Sequence, residues 1–162
     1  MRQKRIVVNE NDEIIGSRDR ESLRENDIYR VSALWITNSR NEILLARRHR
    51  NKAHYPGKWG PGVSGTVEDG ESYDENITKE AEEELGIKDV KFELGPKTKT
   101  DNKYHHFTQW YVLKTDKNID EFVIKEDEVE EIKWFDRKEL IEQMDMHPEE
   151  FLPLMKKYFE LF

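Results

Sequence analysis

The chain has 162 residues, 38% of them charged, with a net charge of −8 and no cysteine. That length sets one domain with room for a real core. The acid excess argues against nucleic-acid polymers or anionic membranes as partners. Without cysteine, disulfides, thiolate nucleophiles and zinc–thiolate sites are excluded.

In chain order, Gln3 to Asn9 carries the apolar run Ile6-Val7-Val8 and predicts a strand. A turn at Asn9–Asp12 and a second apolar step at Ile14-Ile15-Gly16 follow, and Ser17 is expected to cap a short helix to about Arg24. Val31–Thr37 reads as a buried strand, Asn38–Asn41 as a hairpin turn and Glu42–Arg47 as the partner strand. Pro56–Gly65, with four glycines and two prolines, predicts a shaped loop without regular structure. Ser72 or Asp74 then caps a helix ending at Leu85, with Gly86 as its left-handed terminator. Val90–Thr100 and Tyr104–Lys114 alternate as two antiparallel strands, and Glu130–Phe135 is a further short strand. Asp136 caps a helix to about Met144, and Pro148 opens a last helix to the C-terminus. Interleaved strands and helices of this kind make a layered α/β domain, with helices on both sides of a mixed sheet. The start of the chain has no apolar run of signal-peptide length and no segment approaches a membrane span, so a cytoplasmic location is expected.

The most informative stretch is GTVEDGESYDENITKEAEEELGI, from Gly65 to Ile87. Glu80, Glu83 and Glu84 stand at i, i+3 and i+4, which puts three carboxylates on one helical face. Such a cluster is either a solvated face or the ligand set of a hard divalent cation, since like charges repel unless a cation sits among them. The surrounding spacing decides in favour of a site. Gly65, five residues, Glu71, seven residues, then Lys79-Glu80-Ala81-x-Glu83-Glu84-x-Gly86-Ile87 resembles the Nudix box, matching eight of its nine specified positions. Lys79 is the departure, standing where the family has arginine.

The resemblance covers about Tyr29 to about Met144 and implies a Nudix-type α/β/α sandwich. Residues 1–162 are then a single Nudix domain, with 1–28 as an N-terminal strand and short-helix extension. It also implies Mg2+ or Mn2+ held by Glu80, Glu83, Glu84 and the Gly65 carbonyl, and a structural ion pair between Glu71 and Lys79. A lysine lacks the planar bidentate fork of arginine, which puts the stiffness of the loop in question. The implied reaction is water attack on phosphorus in a small-molecule diphosphate. The catalytic residues are expected to be Glu83, Glu84 and Glu128. The base lies in the box at Glu84 or in the acidic run 126–131, where Glu128 is preferred and Glu126 is the alternative. Glu82 is expected to be solvated.

Arg47-Arg48-His49-Arg50-Asn51-Lys52 is a basic island in an acidic chain. Arg47, Arg48 and Lys52 are candidate phosphate ligands. Trp59 and Tyr55 flank Pro56-Gly57, where each is either a stacking platform or a core aromatic. Trp35 is expected in the core. One of His105 and His106 faces inward by strand alternation, as a satisfied core histidine.

The chain further resembles the isopentenyl-diphosphate isomerase-like branch of the family, through IVVNENDEIIGSRDR, IYRVSALWI, LLARRHRNKAHYPGKW and EVEEIKWFD. Isomerases of that lineage use a cysteine and histidines, where this chain has Ser64, Tyr29 and Thr66. Hydrolysis on an isomerase-like frame is therefore expected. The alternatives are an isomerase-like protein and an inactive diphosphate-binding module. A homodimer is compatible with all of these.

Overall fold

Strand β3 (Ile28–Thr37) organises the molecule. Its side chains alternate between two apolar layers, as the period of a strand requires. Leu34 and Ile36 face one core, with Leu44, Val63, Tyr111 and the buried face of the long helix, Ile77, Ala81 and Leu85. Ala33 and Trp35 face the other, with Trp59, Trp110, Phe135 and the C-terminal helices at Leu140, Met144 and Met155. This is an α/β/α arrangement, described for residues 3–162 in a computed structural model. Met1 and Arg2 lie outside the described residues.

Among the described residues, nine strands form one mixed, branched sheet. β1 (Lys4–Val8) and β2 (Ile14–Asp19) make an N-terminal hairpin joined antiparallel to the start of β3. β8 (His105–Lys114) runs parallel to β3 along its whole length, and β7 (Glu93–Asp101) closes that edge antiparallel to β8. β4 (Ile43–Arg48) meets β3 only at Ile36↔Leu44 and Thr37↔Ile43. Beyond those two pairs the strands part. β6 (Val63–Thr66) then edges β3, while β5 (Trp59–Pro61) and β9 (Val129–Phe135) edge β4. The resulting wedge is where the site lies.

Among the described residues, three α-helices complete the fold: α1 (Tyr73–Leu85), α2 (Arg137–Met146) and α3 (Met155–Glu160). Ser72, not Asp74, caps α1 through a capping box with Glu75, and Gly86 ends it at φ 67°. Asp136 caps α2 by accepting from the amides of Lys138 and Glu139.

Three sequence expectations need correction. Ser17 caps no helix: β2 runs through it, because pairing from Lys4↔Asp19 to Val7↔Gly16 takes up the backbone, and only a single 3-10 turn follows at Arg20–Ser22. Pro56–Gly65 is not without regular structure, since it contains β5 and most of β6, recruited by the exposed edges of β4 and β3. The helix from Pro148 breaks after one 3-10 turn, Pro148–Glu150. There the Leu152 amide donates to the Trp59 carbonyl at 2.9 Å, and the chain re-enters a helix only at Met155.

Candidate active site

The wedge between β3–β6 and β4–β5 is a cavity of about 720 Å³. Gly65, Glu80, Glu83 and Glu84 line it from one side, and Arg47, Arg48, Lys52 and Glu128 from the other. The box residues and the basic island, distant in sequence, thus meet in one space.

The local wiring explains the box spacing. Gly70, at φ 86°, lets the loop after β6 turn back onto α1. Glu71 accepts from the Glu68 amide at 3.0 Å and from Asn76 Nδ2 at 2.9 Å. Asn76, fully buried, also donates to the Thr66 carbonyl at 3.1 Å and accepts from the Ser32 hydroxyl at 2.5 Å. The first turn of α1 is thereby tied to β3 and to the loop. The Lys79 ammonium contacts Glu71, stands 3.6 Å from Glu68 and 4.0 Å from Glu80. The expected pair with Glu71 is present, and the lysine serves as a point charge among three carboxylates.

Glu80 packs directly on Gly65. A Cβ there would lie 2.4 Å from Glu80 Cγ, so only glycine admits this approach. Burial, then Glu83, Glu128 and Glu71 against the opposing pull of Lys79, push the Glu80 carboxyl up to about 7. Burial, then Glu80 and Glu128, push Glu84 up to about 8, despite Lys52 and a hydrogen bond from the Ser64 amide. Glu83 is exposed at the cavity edge. Glu82 is exposed and pairs with Lys88 at 3.3 Å, in keeping with a solvated position.

Glu128 reaches the cavity because its segment is anchored at both ends. The Lys125 amide donates to the Glu84 carbonyl at 3.1 Å, and the His49 amide to the Glu128 carbonyl at 3.0 Å. Its carboxylate lies between Lys125 at 2.9 Å and Lys52 at 3.1 Å. Burial raises its pKa, but those two ammonium groups outweigh burial and hold it below the usual carboxylate range. Glu126 is exposed and outside the cavity lining.

Arg47 donates from Nε to the Gly57 carbonyl at 3.1 Å, and Arg48 from Nε to the His54 carbonyl at 2.9 Å, which shapes the loop after β4. Trp59 does not join them. It is buried, edge-on to Phe135 at 5.2 Å, in the core beneath α2 and α3. The alternation of β5 points it away from the cavity, so Trp59 is a core aromatic and its reading as a stacking platform for substrate falls. Tyr55 does line the cavity, and so does His106, which is part-buried and bonds Thr108 Oγ1 at 3.1 Å. Trp35 is core, as expected. Sequence reasoning missed Asn76, Ser32 and Lys125. Their role depends on cross-chain contacts that no local pattern encodes.

Among the described residues, no three aspartate, glutamate or histidine side chains are already gathered into a metal-binding group. The donor chemistry nonetheless fits a hard divalent cation. Two carboxyls are held at raised pKa by burial and by the neighbouring carboxylates, beside a glycine that leaves the backbone accessible.

A family model for the NUDIX domain matches residues 28–155. The chain belongs to the Nudix family. It is a hydrolase of the class acting on acid anhydrides. It is 41% identical over 84 residues to the uncharacterized Nudix hydrolase PA4841 of Pseudomonas aeruginosa, covering 51% of this chain and 50% of that protein. It is 30% identical over 148 residues to the uncharacterized Nudix hydrolase YfcD of Escherichia coli, covering 91% of this chain and 79% of that protein. The crystal structure of DR0079 from Deinococcus radiodurans shares the fold, with a TM-score of 0.84, 22% identity and 97% of each chain covered.

Proposed function

We propose that this Nudix protein hydrolyses the phosphoanhydride bond of a small-molecule diphosphate of the nucleotide type, by water attack on phosphorus. One observation carries the reading. Three carboxylates of one α1 face line the same cavity as a basic island and a lysine-held glutamate.

Glu80, Glu83, Glu84 and the Gly65 carbonyl would hold Mg2+ or Mn2+. When bound, the cation supplies charge neutralisation on the diphosphate and a more acidic water. Arg47, Arg48 and Lys52 orient the phosphates. Glu71 and Lys79 fix the loop on the helix. Glu128, kept ionised by Lys52 and Lys125, is placed to accept a proton from the attacking water or to orient it, with Glu84 as the alternative base. Glu126 is set aside, because it lies outside the cavity.

Residues 1–162 act as a single Nudix domain in this reading, with 1–28 as its extension. A cytoplasmic location belongs to the same reading. Among the described residues, no helix is long and apolar enough to cross a membrane. A homodimer is its expected assembly, which light scattering after gel filtration checks. The isomerase-like resemblance concerns the frame alone. Ser64, Tyr29 and Thr66 cannot replace a thiol and imidazoles, so no conversion of isopentenyl diphosphate is expected, and a catalytic rate of it would contradict the assignment. The direct test is a pooled panel of diphosphates with Mg2+, with Mn2+ or with EDTA. Metal-dependent release of a monophosphate supports the reading, and no turnover of any compound favours an inactive binding module.

A further inference from the structure

The cavity extends well past the carboxylates, and its far end has the opposite character. There it is lined by Arg5 of β1, by Arg20 of the 3-10 turn after β2, and by Tyr29, Tyr55, Tyr104 and His106. Arg47, Lys52, Lys79 and Lys125 each pair with a carboxylate of the site region. Arg5, Arg20 and Arg48 have no such partner among the described residues, although the chain carries 35 acidic residues against 27 basic ones. Glu68, which also lines the cavity and whose backbone bridges to Arg5, is itself engaged by Lys79.

The far end is built rather than incidental. Arg5 is half-buried, with its guanidinium carbon 5.1 Å from the centre of the Tyr29 ring, which in turn packs at 5.2 Å on His106. That stacking fixes one plane of the guanidinium and leaves its edge donors free. On the opposite wall His54 Nδ1 and the Tyr104 hydroxyl are 2.8 Å apart, joining the loop after β4 to the β7–β8 turn. Tyr55 follows at φ 51°, an unfavourable conformation for a non-glycine residue, with its ring 6.2 Å from Tyr104. Burial, then the proximity of Arg20, Arg5, Arg48 and Lys103, lowers the His54 pKa, in keeping with cations gathered at this end. Arg5 and Arg20 lie before residue 28, outside the segment that the family model matches.

The geometry points to a second anion subsite, formed by Arg5 and Arg20 with Arg48 at its inner edge, that takes a phosphate on the substrate arm beyond the scissile diphosphate. The inference rests on the diphosphate-hydrolase reading and narrows it. The substrate is a diphosphate that carries a further phosphomonoester at some distance from the anhydride. Unpaired guanidinium groups answer to such a group, because a phosphate accepts two parallel N–H donors from each.

Two matched pairs of compounds test this: NADH against NADPH, and dephospho-coenzyme A against coenzyme A. Each pair differs by one ribose phosphate remote from the diphosphate. The wild type is expected to prefer the phosphorylated member in kcat/KM by about tenfold or more, the worth of one or two charge-assisted hydrogen bonds. Arg5→Ala/Arg20→Ala is expected to lose about tenfold more on the phosphorylated member than on its partner. Arg20→Ala alone, at an exposed position, should show part of the same selective loss without risk to the fold. Equal losses on both members, or no preference in the wild type, overturn the subsite. If the wild type hydrolyses none of the four, turnover of any other diphosphate of the panel still upholds the hydrolase reading, and kinetics no longer reports on the subsite. Calorimetric binding of the same pairs then decides the subsite: tighter binding of the phosphorylated member, erased in the double variant, upholds it, and equal or absent binding overturns it.

Discussion

Glu84→Gln separates what the site costs the fold from what it contributes to chemistry. In the metal-free protein burial, then Glu80 and Glu128, push the Glu84 carboxyl from 4.5 to about 8. That displacement corresponds to about 5 kcal/mol of stability given up once the group is forced to ionise. Glu84 opens partly on the cavity, where screening leaves about 3 kcal/mol. The sign follows from linkage. A carboxyl whose folded pKa lies above its unfolded value favours the fold below about pH 4.5, and that advantage is lost as the pH rises through about 8. Glutamine keeps the shape and carries no charge. Glu84→Gln should therefore raise the Tm of metal-free protein above pH 8 by about 6–12 °C, and change it little near pH 4.5. Turnover should be abolished in the same variant. Melts followed by circular dichroism in EDTA at the two pH values give the answer. A variant less stable than wild type above pH 8 would refute the claim that uncompensated charge is stored at this position.

Four further outcomes follow from the same structure. Gly65→Ala should fold, because the displaced group is a flexible side chain. The new Cβ would meet Glu80 Cγ at 2.4 Å, so Mn2+ affinity measured by paramagnetic resonance should drop; unaltered affinity would remove Glu80 and Gly65 from the site. Lys79→Arg should retain activity, whereas Lys79→Met should lower kcat/KM by about tenfold through a loosened loop, as expected for loss of a buried-side ion pair of about 1.4 kcal/mol. Trp59→Ala should cost about 3–5 kcal/mol in urea unfolding, while Trp59→Phe keeps KM unchanged, because the ring packs on Phe135 rather than on substrate. Asp12 tests the N-terminal hairpin. Burial raises its pKa, but Lys97, Arg30 and Tyr73 outweigh burial and hold it below the usual range. Its contribution is present above its unfolded pKa and lost as the pH falls through the folded one, so Asp12→Asn should destabilise at neutral pH and converge on wild type in acid.

The comparison of sequence with structure divides along physical lines. α1 and its Gly86 terminus were legible because capping and helical period are local, and the same signals narrowed the N-cap to Ser72 or Asp74. The carboxylate face followed from the same period, and its partner lysine from the spacing of the box. β5 and β6 were not legible. They are short strands induced by the free edges of β4 and β3 where those strands diverge, and their own residues carry glycine and proline. Trp59 shows the same limit, since an aromatic beside a glycine–proline loop fits either a cavity wall or a core until the face of β5 is known. Asn76 and Ser32, which lock the first turn of α1 to β3, are ordinary polar residues in sequence and become informative only as a buried pair. The arginines at the far end of the cavity were hidden for a related reason, because the hairpin and following turn that carry them join β3 through β1 from outside the motif.

The central claim is that the carboxylates of α1 direct water onto phosphorus of a diphosphate with the help of a divalent cation. Turnover of the best panel substrate in heavy-oxygen water, with Mg2+, tests it most directly by mass spectrometry of the products. The account predicts one heavy oxygen on a phosphorus-bearing product with wild type, and no product with Glu84→Gln or with EDTA. Label on a carbon-bound oxygen, or undiminished turnover in Glu84→Gln, would contradict it.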